Sequence, residues 1–137
     1  MKANDLMIGD WVEWKHATEE KYHGIYKIAT IEEGWVDFYD EEGYCCSQPY
    51  DEIHPIPITK EFIEKNGYRF NDEVENGGDW EYYGIYKSCI YRTSSGWYLW
   101  ILVGEMDGGN QISLNINYVH EMQHALRLCG VEKEINL

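Results

Sequence analysis

His120, Glu121 and His124 are the residues whose types and spacing come closest to a known chemistry. They spell HExxH, in which two imidazoles one helical turn apart hold a zinc ion and the glutamate between them acts as general base. That spacing needs a helix. From Asn117 to Cys129 the residues Tyr118, Val119, Met122, Ala125, Leu126 and Cys129 fall in one apolar arc of a helical wheel at about 100° per residue. Asn117 stands where an N-cap is expected, and Gly130 where a left-handed residue ends a helix. His120 and His124 share the opposite, polar face with Gln123 and Arg127, which suits a metal cleft and plain solvent equally.

A catalytic zinc needs a third protein ligand besides its water. The extended pattern HExxHxxGxxH fails here, because Arg127 replaces its glycine and Gly130 its third histidine. Glu132 or Glu134 would have to fold straight back to serve. His16, His23, His54 and the cysteines sit at no diagnostic spacing. The sequence therefore predicts no zinc and no catalytic residue, with a small zinc hydrolase using His120, Glu121 and His124 as the alternative. No glycine-rich phosphate loop or GxSxG elbow is present, and Cys45-Cys46 reads as alternate burial in a strand.

Charge points elsewhere. The chain of 137 residues carries 25 acidic and 11 basic side chains, a formal charge of -14. Residues 1 to 56 hold 13 acids against 4 bases. Such a surface repels phosphates and anionic membranes, so no direct nucleic-acid or membrane binding is predicted, and a basic protein partner is the natural one. With 44% hydrophobic and 26% charged residues the chain has enough apolar surface to fold. Its longest apolar run, Trp97 to Val103, is far short of the roughly 20 residues that span a bilayer, and Met1 to Asp5 opens no signal peptide, so a cytoplasmic protein is expected. Four cysteines without a CxxC pair predict reduced thiols.

In chain order, Trp11 to Lys15, Gly24 to Glu32, Trp35 to Asp40, Tyr44 to Ser47 and Tyr50 to Ile53 read as short strands separated by glycine turns. Pro55 and Pro57 then end the pattern. Residues 1–57 are thus expected to form a small acidic β-barrel of the KOW or Tudor kind. Thr59 caps a predicted helix over Lys60 to Asn66, with Ile58 and Ile63 as a hydrophobic staple and Gly67 as its stop. A brief strand, Tyr68 to Asn71, and an acidic loop, Asp72 to Asp79, follow.

From Trp80 to Val103 the predicted hairpin turns at Thr93-Ser-Ser-Gly96. If Arg92 faces Trp97, one face carries Tyr86, Ile90, Trp97, Leu99, Ile101 and Val103, and the other Cys89, Tyr91, Tyr98, Trp100 and Leu102. One face should take the C-terminal helix. The other is a candidate binding surface, through Tyr91, Tyr98 and Trp100, or a homodimer contact. Glu105 to Asn110 is read as a turn and Gln111 to Asn115 as the last strand. Residues 58–137 are therefore expected as one α+β lobe with the terminal helix packed on an antiparallel sheet.

Three stretches, MKANDLMIGDWV from Met1, YDEIHPIPITKEFIEKNGY from Tyr50 and YVHEMQHALRLCGVEKEINL from Tyr118, resemble a group of small phage and mobile-element proteins of gut Bacteroidales. They cover about a third of the chain. In that group the last stretch often reads YVHxLQNLY, with asparagine where this chain has His124, so the resemblance implies that the zinc pattern is incidental. It implies a bacterial host cell; that group carries no known function, and the expected role as inhibitor or accessory factor acting on host proteins comes by association with small acidic phage-type proteins in general. The expected function is a non-enzymatic protein that binds a basic host or phage protein, including as a nucleic-acid mimic. Its candidate acidic surface is Asp37, Asp40, Glu41, Glu42, Asp51 and Glu52, with Glu32 and Glu33 nearby, and several of these carboxylates are expected to share a side of the barrel.

Overall fold

The computed structural model describes residues 1–16, 18–19, 23–40, 42–71, 79–83, 87–103 and 110–137. The chain is a mixed α+β protein of two compact units, Met1–Ile56 and Pro57–Leu137.

The first unit is an antiparallel sheet of β1 (Trp11–Trp14), β2 (Gly24–Ile31), β3 (Trp35–Tyr39), β4 (Cys45–Pro49) and β5 (Ile53–His54), in the order β4-β3-β2-β1-β5. Alternation drives Val12, Trp14, Val36 and Phe38 inward, where they join Leu6, Ile28 and Ile53 in one buried cluster. Tyr26 stacks on Phe38 with ring centroids 4.2 Å apart. A bulge between Ile28 and Thr30 shifts the phase of β2. Before it the even residues Tyr26 and Ile28 face the core; after it Ile31 packs inward and Thr30 is exposed.

The expected barrel does not form. The segment read as its closing strand makes a 3-10 turn over Tyr50–Glu52, leaving only Ile53–His54 to pair with β1. Two residues before Pro55 cannot reach back to β4, so the sheet stays open at both edges.

In the second unit Thr59 caps α1 (Lys60–Lys65) by accepting the Phe62 N–H at 3.2 Å, and Ile58 and Ile63 are both buried. The sheet follows the order β10-β9-β8-β7-β6, with β6 (Arg69–Asn71), β7 (Asp79–Tyr83), β8 (Lys87–Thr93), β9 (Gly96–Val103) and β10 (Asn110–Asn115). Arg92 does face Trp97, but the turn is tighter than expected, since Thr93 pairs with Gly96 across Ser94 and Ser95. Ile90, Trp97, Leu99 and Ile101 are buried on one face; Cys89, Tyr91, Tyr98, Trp100 and Leu102 on the other are half-buried. Tyr86, most of the acidic loop (72–78) and most of the turn before β10 (104–109) lie outside the described residues.

The terminal helix α2 runs Val119–Leu128. It begins one residue later than expected: Tyr118 is the N-cap, and the Asn117 side chain donates to Asn115 Oδ1 at 2.7 Å instead. Val119, Met122, Ala125 and Leu126 are buried, as the wheel requires. His120 and Gln123, placed by that wheel on a polar face, are buried too, each with 6% exposure. Asn66, just past α1, is also buried: its Nδ2 donates to Asn136 O at 2.7 Å and its Oδ1 accepts the Asn136 N–H at 2.9 Å, tying the C-terminal segment down beside Ile135. Among the described residues no helix is long and apolar enough to cross a membrane.

Candidate functional site

Helical spacing brings His120 and His124 together, with ring centroids 5.6 Å apart in an edge-to-face arrangement. On the other side of His120 the Tyr118 ring stacks at 5.9 Å. The two imidazoles thus lie against neighbouring rings, His120 almost without solvent contact. Glu121 faces the wrong way for a general base. Its Oε2 accepts the backbone N–H groups of Asn117 at 2.7 Å and Tyr118 at 3.1 Å, closing the first turn of α2. Among the described residues no group of three His, Cys, Asp or Glu is arranged to hold a metal ion. Two histidines supply half of a tetrahedral shell.

None of the four cysteines is in a disulfide. Burial, with Asp40 and Cys45 nearby, pushes the Cys46 thiol up, and burial does the same to Cys129, so neither is poised as a thiolate nucleophile.

No protein-family model, curated protein or solved structure matches the chain. Chemistry must be read from the residues themselves.

The acidic residues separate into different jobs. Asp37 sits mid-strand on β3, accepting the hydroxyls of Ser47 at 2.5 Å and Thr30 at 2.6 Å, and these two bonds, Ser47 first, hold its carboxyl below the ordinary range. Glu52 accepts the Trp14 indole N–H at 3.0 Å and is half-buried. Both carboxylates are structural. Asp40 ends β3, where its Oδ1 accepts the N–H groups of Glu42 at 3.0 Å and Tyr44 at 2.9 Å and so shapes the turn into β4. Glu42 beside it is exposed, while Glu41 lies outside the described residues. Glu32, Glu33 and Asp51 are exposed at the other end of β3, where Tyr50 joins the β2 to β3 turn by donating to Glu32 O. The carboxylates therefore gather at two ends of a five-residue strand, about 15 Å apart at roughly 3.3 Å per residue. Only part of the set shares a side.

At the Asp40 end the surface is hollowed. A cavity of about 730 Å³ is lined by Trp11, His23, Gly24, Ile25, Tyr26, Lys27, Tyr39, Asp40 and Glu42. Its geometry follows from register: Trp11 pairs with Lys27 across β1 and β2, and Tyr39 stands on β3 one residue beyond the Ile28 to Phe38 pair, so all three project from the outer face. Lys27 Nζ lies 5.2 Å from the centre of the Trp11 ring, within range of a cation–π contact. Sequence reading passed over Trp11, Lys27 and Tyr39. Alternation along each strand gave no sign that three strands would align them.

In the second unit Tyr91 and Tyr98, paired across β8 and β9, stack with centroids 5.2 Å apart. Tyr91 shares a hydrogen bond with Ser113 and Tyr98 with Ser95. The Ser95 bond first, then one to Asn115, lowers the Tyr98 phenol from its ordinary value. Trp100 is half-buried in the same row. Asp40 and Glu42 are the sequence-predicted binding residues found beside a hollow, and Tyr91, Tyr98 and Trp100 form a separate aromatic row.

Proposed function

We propose that this chain is a non-enzymatic binding protein of the phage accessory or inhibitor type, whose acidic N-terminal unit engages a basic protein. The observation that carries the reading is the hollow at the Asp40 end of β3, where aromatic rings and two carboxylates line a cavity of about 730 Å³. With 13 acids against 4 bases in residues 1 to 56, the surrounding field attracts cations. A row of phosphate-like carboxylates is a weaker account, because Asp37 is engaged by Ser47 and Thr30, Glu52 by the Trp14 indole, and the remaining exposed acids sit at two ends. Discrete recognition of basic side chains fits the arrangement better than nucleic-acid mimicry.

The test is association of the purified chain with poly-L-lysine at low and at physiological ionic strength. Binding should be present at low salt and fall steeply as charges become screened over about 8 Å. Replacing Asp40→Asn together with Glu42→Gln should weaken it and flatten the salt dependence, while the asparagine oxygen keeps the turn bonded. No association at low salt, or a double variant indistinguishable from the parent, overturns the reading.

A further inference from the structure

We propose that the hollow on the outer face of β1, β2 and β3 seats a single lysine ammonium from an extended basic segment of the partner protein, and that Lys27 is its internal placeholder. This rests on the binding function proposed above and names the side chain that the site takes. The strands supply the seat. Trp11 on β1 and Tyr39 on β3 flank Lys27 on β2, and the Lys27 ammonium already lies over the indole at 5.2 Å. An ammonium held on that ring by the chain itself shows which charge and shape the surface accepts. The cavity of about 730 Å³ far exceeds one ammonium and leaves room for the backbone of an incoming segment.

The rim supplies the opposite charge. Asp40 is fixed by the two N–H groups its Oδ1 accepts, and Glu42 is exposed beside it. On the opposite face of β2 the strand is held by Tyr26, which stacks on Phe38, and a Cβ on Gly24 would come within 2.6 Å of that ring. Lys27 is exposed on a flexible stem, so its ammonium competes with an incoming one for the same ring. The incoming ammonium takes over the indole face, and the gain comes from the carboxylates and from contacts along the incoming segment. Discrimination against an uncharged side chain follows, since a neutral group cannot displace Lys27 at equal strength.

The test is NMR titration of the full chain with a capped Gly-Ser-Lys-Ser-Gly peptide and with the same peptide carrying norleucine for lysine. The lysine peptide should move the Trp11 indole N–H signal and the norleucine peptide should not. Lys27→Met should tighten lysine-peptide binding about two- to five-fold, the equivalent of one exposed cation–π contact removed from the competition. Tyr39→Leu, at a ring that is 60% exposed and outside the buried cluster, should abolish it without unfolding the unit. Unchanged affinity in Lys27→Met, or an equal response to norleucine, overturns the proposal. If poly-L-lysine binds with its salt dependence intact while Trp11 stays unperturbed, this seat is wrong and the binding function stands; if poly-L-lysine does not bind, that function falls first.

Discussion

Glu121 Oε2 lies 3.1 Å from the backbone nitrogen of Tyr118 and accepts its N–H. The residue that an HExxH motif would use as general base is thus the lid on the first turn of its own helix. The N–H of the cap residue Tyr118 and that of Asn117 just before it are both satisfied by this one carboxylate. Glu121→Ala should therefore cost about 1 to 2 kcal/mol of stability, and Glu121→Gln less, by loss of the cap and of negative charge at a helix N-terminus. Chemical denaturation measures both; an alanine variant with the parental midpoint would remove the capping role.

The same geometry bears on metal. Protein purified without chelator should carry no stoichiometric zinc, because two imidazoles make an incomplete shell. Elemental analysis that finds about one zinc per chain, lost on His124→Ala, would reverse this expectation.

Leu126 is 1% exposed on the buried face of α2. Truncation to alanine should cost about 2 to 5 kcal/mol through lost burial and the cavity left behind. A loss below about 1 kcal/mol would mean that the site collapses freely or that the helix face is not packed.

Gly96 adopts φ +123 at the tight turn between β8 and β9, and a Cβ there would run into the Asn117 carboxamide. Gly96→Ala meets both a backbone strain of roughly 1 to 3 kcal/mol and that clash. The melting temperature should fall, and more than for Ser94→Ala in the same turn. Equal shifts in the two variants would show that the turn tolerates a side chain.

Asp37 predicts an acid limb in the stability curve. Hydrogen bonds from Ser47 and Thr30 depress its folded value below the unfolded one, so its contribution is fully present above the unfolded pKa near 3.9 and is lost as pH falls through the lower folded value. Asp37→Asn should flatten stability against pH below about pH 4.5 and leave the alkaline side alone. A variant whose acid limb overlays that of the parent would show that these hydrogen bonds do not stabilise the charged form.

Local patterns read well where the physics is local. Alternation placed β1, β2 and β3 within a residue or two, because a strand with one buried face must repeat every second position. Thr59, Ile58 and Ile63 were legible as cap and staple, since those contacts span a few residues. The two faces of the β8 to β9 hairpin followed once Arg92 was set opposite Trp97. Three things were not legible: the bulge at Ile28 and Thr30, the 3-10 turn that replaces a closing strand, and the burial of His120 and Gln123. Each depends on tertiary packing, and the helical wheel had placed those two residues only on a polar face opposite the apolar arc.

The sequence by itself determined the element types, the acidic balance and the apolar arc of α2, because period, propensity and charge are properties of neighbouring residues. Tertiary structure decided what the chemical groups are for. It turned Glu121 into a cap, locked Asp37 and Glu52 into hydrogen bonds, and aligned Trp11, Lys27 and Tyr39 across three strands. The reason is register: which side chains meet across a sheet is set by long-range pairing, and no spacing along the chain records it.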